Sequence, residues 1–114
     1  MNKLELADKV EANTQSTAQE RAMHLGVLYG LNILSPAEWT AKNGNILTST
    51  DAALQLLEEC LPGYQWACHQ HDGMFIADVA LVGQVAPVSG CAKHPAQAIL
   101  SALLRALHAK ENGK

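Results

Sequence analysis

The chain has 114 residues, 48% hydrophobic and 17% charged, with a formal net charge of −3. A chain of this length makes about one domain and buries roughly two-thirds of its unfolded surface, so folding requires no disulfide framework or metal, and the composition excludes disorder for the bulk of the chain. Residues 1 to 60 carry eight acids against four bases and residues 61 to 114 three against four, with no Lys/Arg stripe in either half. That argues against nucleic-acid binding, which works by neutralising phosphates, and the acids are too sparse for a DNA mimic.

The first residues, MNKLELADKVEA, interleave charge with apolar side chains and lack the unbroken apolar core of a signal peptide. No stretch reaches the roughly 18 apolar residues of a membrane span. Three cysteines form no paired framework and fit a reducing compartment. The expectation is a soluble, cytoplasmic protein of one domain, residues 1 to 114.

In chain order, Leu4, Ala7 and Val10 recur at helical spacing and predict a short first helix within residues 3 to 12. Thr17-Ala-Gln-Glu20 has the form of a capping box opening a second helix to about Leu31, with Ala22, Leu25, Leu28 and Tyr29 on its buried side. Ser35-Pro-Ala-Glu38 repeats that logic with Pro at the first helical position, and Asn43-Gly44 ends a short helical segment carrying Trp39. Thr50-Asp51 opens a further helix in which Ala53 or Leu54, with Leu57 and Leu61, lines one face until Pro62-Gly63 stops it.

At YQWACHQHDGMFIADV, residues 64 to 79, the period changes from helical to two. Asp72-Gly73 between two runs of β-formers predicts a hairpin over 64–82, because a type I′ turn needs two residues with positive φ. Gln84 to Val88 is the weakest expected element, a third strand. Pro95 to about Lys110 is the strongest helix, its core stripe of Ile99, Leu103, Ala106 and Leu107 widened by Leu100 and Leu104. So broad an apolar surface must meet a sheet, another helix or a second subunit. The whole reads as α+β, a small antiparallel sheet of two or three strands packed against helices, with the apolar helix faces favouring a homodimer.

The chemistry candidates are few. Cys68-x-x-His71 and Cys91-x-x-His94 supply the residue types of a tetrahedral zinc site. A regular pleat opposes that reading, since it sends Cys68 inward with Trp66 and Tyr64 and turns His71 to the other face, leaving solvated imidazoles on an ordinary hairpin. Cys91 with His94 has the makings of a nucleophilic dyad, though no third partner is signposted. Glu58 and Glu59 are adjacent on a helix and diverge by about 100°. Ser89, Gly90 and His94, ahead of the last helix, are the candidate residues for binding a nucleotide or other anion. Trp39, in a short loop-like helix, is the candidate partner contact.

The stretches ELADKVEA, LTSTDAALQLLEECLPGYQW and HPAQAILSALLRAL resemble small bacteriophage and prophage proteins of the phage ABA-sandwich type. Those proteins run a capped D-A-A-L helix into a Pro/Gly stop, an aromatic strand and an Ala/Leu-rich last helix. The likeness touches most of the chain, and its motifs are structural. In the family the position matching Cys68 is commonly a plain apolar residue. The second helix and the segment 35 to 44 with Trp39 depart from the pattern. The resemblance implies a non-enzymatic accessory protein without a cofactor, binding a host protein and inhibiting a host defence system such as a CRISPR effector. The other functional classes open at this point are a small-ligand binder or sequestering protein and a zinc- or thiol-dependent enzyme.

Overall fold

A computed structural model describes residues 3–12, 17–31, 33, 35–47, 49–81 and 88–112, with the side chains at 3, 12, 17–23, 81, 111 and 112 outside that description. The elements run α1 (Lys3–Ala12), α2 (Thr17–Gly30), α3 (Pro36–Asn43), α4 (Thr50–Cys60), β1 (Tyr64–His71), β2 (Met74–Leu81), β3 (Val88–Ala92) and α5 (Pro95–Asn112). The three strands form one antiparallel sheet in the order β1-β2-β3, and α5 packs across β2 and β3. This is the α+β architecture expected.

The hairpin forms as its turn residues dictate. Asp72 (φ 52°) and Gly73 (φ 77°) both take positive φ, the type I′ geometry whose twist matches the flanking strands. The register runs from His71 opposite Met74 to Tyr64 opposite Leu81. The third strand begins where the expected one ends: Val88–Ala92 pairs with β2, Val79 opposite Val88 and Phe75 opposite Ala92. Residues 84 to 87 of the expected strand, like Val82, lie outside the described residues.

The helix signals hold in outline and differ at the caps. Ser49, one residue ahead of the expected start, caps α4, its Oγ accepting from the Ala52 N–H at 3.2 Å. Ser35 precedes α3 in the left-handed region (φ 55°) with no side-chain cap bond, so only Pro36 of that predicted box acts as anticipated. The expected Thr17 cap lies among side chains outside the description. Tyr29, placed on the buried side of α2 by spacing, is 67% exposed.

The centre of the core is α5. From Ala96 to Leu104 every side chain is buried, and Ile99, Leu100, Leu103 and Leu104 are essentially inaccessible. Each such aliphatic side chain contributes about 1.5–3 kcal/mol relative to exposure. The sheet meets one side of α5 and helices α1 and α4 meet the rest, so the apolar surface that favoured a second subunit is covered within the chain. Helix and sheet approach closely because small residues face each other. A Cβ on Gly90 would lie 2.5 Å from the Ala98 carbonyl oxygen and 2.6 Å from the Ala102 nitrogen, so β3 needs glycine where α5 crosses it. No helix among the described residues is long and apolar enough to cross a membrane.

Candidate functional site

Strand alternation divides the sheet into two faces with different fates. Paired residues share a face, so Trp66, Cys68, Phe75, Ala77, Val79, Gly90 and Ala92 form the inner face toward α5. Ala77, Val79 and Ala92 there are at most 1% exposed. The outer face carries Gln65, Ala67, His69 and His71 from β1, Met74, Ile76, Asp78 and Ala80 from β2, and Ser89 and Cys91 from β3. No described helix packs on it. The solvated face of an antiparallel sheet ordinarily reads polar. Here the middle is Asp78, flanked by Ala67, Ile76 and Ala80, and its carboxylate accepts a hydrogen bond from Ser89 Oγ at 2.5 Å. An open groove of about 530 Å³ lies at the β1 end of the sheet, lined by Tyr64 and Trp66 from the inner face and by Gln65, Ala67, Asp78 and Ala80 from the outer.

The two edges of the sheet are also treated differently. At the β3 edge, Glu11 of α1 accepts the Cys91 N–H (2.8 Å), the Ser101 hydroxyl (2.6 Å) and both terminal nitrogens of Arg105. Arg105 in turn donates to the Ser89 carbonyl (3.1 Å) and to Asp8 Oδ1 (2.9 Å). Backbone groups that would otherwise present a template for another strand are occupied by side chains. Burial raises the Glu11 carboxyl, but the hydrogen bonds from Arg105, Ser101 and Cys91, with the Arg105 charge, outweigh it and hold the group below its ordinary value. At the β1 edge no described side chain makes such a cover. Trp66 is 48% exposed although it lies on the inner face, because α5 sits over β2 and β3 and stops short of β1.

The residues singled out from sequence are dispersed. Cys68 lies on the inner face opposite Ala77 and Cys91 on the outer face opposite Ile76. His71, beside the turn, approaches the Asp72 carboxylate at 3.2 Å, and His94 precedes α5, its Nδ1 accepting from the Ala96 N–H at 3.2 Å. The two Cys-x-x-His pairs therefore do not converge, and no group of three or more metal-ligating side chains gathers among the described residues. Burial, then Asp78, pushes the Cys68 thiol up; burial, then Glu59, pushes the Cys60 thiol up to about 11. Glu58 and Glu59 are both exposed, and Glu59 accepts from Trp39 Nε1 and Gln55 Nε2, each at 2.8 Å.

The anion-binding set is likewise taken apart. Ser89 points to the outer face, Gly90 lies against the middle of α5 rather than its N-terminus, and His94 caps that helix. Trp39 is corrected as an exposed contact, being only 9% exposed with its indole N–H held by Glu59. Its ring lies 6.5 Å from that of His24. His24, which sequence reasoning passed over, is buried at 2% exposure. Its Nδ1 accepts the Ile46 N–H (3.1 Å) and its Nε2 meets Thr40 Oγ1 (2.6 Å), which donates onward to the Pro36 carbonyl (2.8 Å). An imidazole that accepts at Nδ1 is neutral and donates at Nε2, so His24 ties α2 to α3 and to the turn after it. No spacing rule could have found a histidine that works across 22 residues.

The fold and faces define a small α+β domain with a half-open sheet. Comparison with protein-family models, with curated proteins and with solved structures finds no match for this chain.

Proposed function

We propose that this is a non-enzymatic phage or prophage accessory protein that binds a host protein in the bacterial cytoplasm, and that the host protein docks on the outer face of the sheet. The phage setting, and inhibition of a defence system such as a CRISPR effector as the outcome, rest on the sequence resemblance alone. The docking surface rests on one observation: Ala67, Ile76 and Ala80 surround Asp78, whose carboxylate is hydrogen-bonded by Ser89, on a face that no described element covers. Small apolar side chains around a single hydrogen-bonded polar group, with few charges nearby, match the composition of a protein contact surface.

Capture from a bacterial lysate tests this directly. Ile76→Lys and Ala80→Arg add bulky charge on either side of Asp78 without touching the inner face. A host protein retained by the wild type and lost with both variants, while the melting temperatures stay close to wild type, supports the reading. A host protein retained equally by both folded variants overturns it.

A further inference from the structure

The contrast between the two sheet edges carries an inference of its own, independent of any host partner. The turn fixes which backbone groups of β1 face outward. In a two-residue hairpin the flanking pair, His71 and Met74, exchanges hydrogen bonds, and alternation then turns residues 69, 67 and 65 toward β2 as well. Tyr64, Trp66, Cys68 and Gln70 therefore direct their N–H and C=O groups away from the sheet. The same phase carried across β2 turns Ser89 and Cys91 outward from β3, which agrees with their capture by Arg105 and Glu11. Of these groups the Tyr64 N–H donates to the Leu61 carbonyl at 3.2 Å, and no other bonds to a described residue outside the sheet.

Natural edge strands are blunted by charge, proline, a bulge or a cover. β1 reads YQWACHQH, with no Lys, Arg, Asp, Glu or Pro, and its register with β2 is unbroken over eight residues. We propose that a second copy of this chain pairs with β1, antiparallel about a two-fold axis through Ala67, to make one six-stranded sheet. In that register Trp66 lies opposite Cys68 of the second copy, Tyr64 opposite Gln70, and Gln65 opposite His69. All the outward-facing residues find partners and no formal charge meets another. The half-exposed Trp66 of each copy then fills the trough left between the two α5 helices. Ala67 meets its own counterpart in a non-hydrogen-bonded pair, where Cα atoms approach to about 4.5 Å and a small side chain fits. Because Glu11 and Arg105 block the β3 edge, strand addition stops at two copies instead of propagating.

Sedimentation of the purified protein over a dilution series, with no host protein present, tests the pairing. The wild type is expected to be a concentration-dependent dimer. Ala67→Glu and Ala67→Lys, which each set like charges face to face at the axis, are expected to weaken it about tenfold or more, and an equimolar mixture of the two is expected to restore a heterodimer. Ala67 is exposed, and circular dichroism checks that both variants keep the fold. A wild type that is monomeric at every concentration overturns the inference, as does a dimer indifferent to both charges or a mixture that fails to recombine.

Discussion

Arg105 grips the Glu11 carboxylate with both terminal nitrogens, across 94 residues of sequence, and so fastens α1 to α5 over the free edge of β3. The side chains are 25% and 21% exposed, which keeps the pair largely out of water. Removing one member leaves the other charge with a smaller set of partners, and Glu11→Ala also strands the Cys91 N–H and the Ser101 hydroxyl. Loss of about 2–3 kcal/mol is expected for Glu11→Ala or Arg105→Ala, read as a drop in the urea midpoint. Losses within about 0.5 kcal/mol would show that the clamp is not stabilising.

The same carboxylate sets an acid limit. Its folded value lies below the ordinary 4.5, so its contribution is present above the unfolded value and is lost as pH falls through the folded one. Wild-type stability should therefore decline below about pH 4.5, and more steeply than that of Glu11→Gln. Parallel pH profiles for the two proteins would contradict this.

His24 supplies a second pH dependence at milder acidity. Burial lowers its pKa from 6.5, so the unfolded chain takes up the proton first; stability is present above pH 6.5 and falls as pH drops through the folded value. Protonation at Nδ1 would also break the bond from the Ile46 N–H. Chemical denaturation at pH 7.5 and 5.5 should show a loss in the wild type that is reduced in His24→Asn, with the variant less stable at the higher pH by about 1–2 kcal/mol.

Gly90→Ala should be among the most damaging single substitutions. The added methyl would meet backbone of α5, with Ala98 O at 2.5 Å and Ala102 N at 2.6 Å, and neither can move without shifting the core helix. A cost of about 3 kcal/mol or more is expected in thermal or urea unfolding. A near-neutral result would contradict the close crossing of α5 over β3.

Thiol labelling should order the cysteines. Cys91 is exposed, whereas Cys60 and Cys68 are partly buried and the Cys60 thiol is pushed up to about 11. Mass spectrometry of a maleimide time course at pH 7.5 is expected to find Cys91 modified first and Cys60 last, since the thiolate is the reacting form. Early modification of Cys60 in the folded protein would contradict the packing of α4.

Much of the fold is legible in local pattern. The change of period at Tyr64, the Asp72-Gly73 turn and the long apolar run after Pro95 locate the hairpin and α5 because these signals act within a few residues. The inward set of Trp66 and Cys68 follows from alternation too. Alternation says which residues share a face; it does not say how far a helix reaches across that face. Trp66 therefore stays half exposed, while Trp39, read as loop-borne, is drawn into the core by Glu59 and the neighbouring His24.

By itself, then, the chain's order of residues determined the element types, the turn and the α+β class, all consequences of backbone preference and periodic burial. Tertiary structure alone decided that Glu11 would close one edge, that Gly90 would admit α5 and that one sheet face would stay open. Those outcomes depend on contacts between residues up to 94 positions apart, whose distances in space no local spacing encodes.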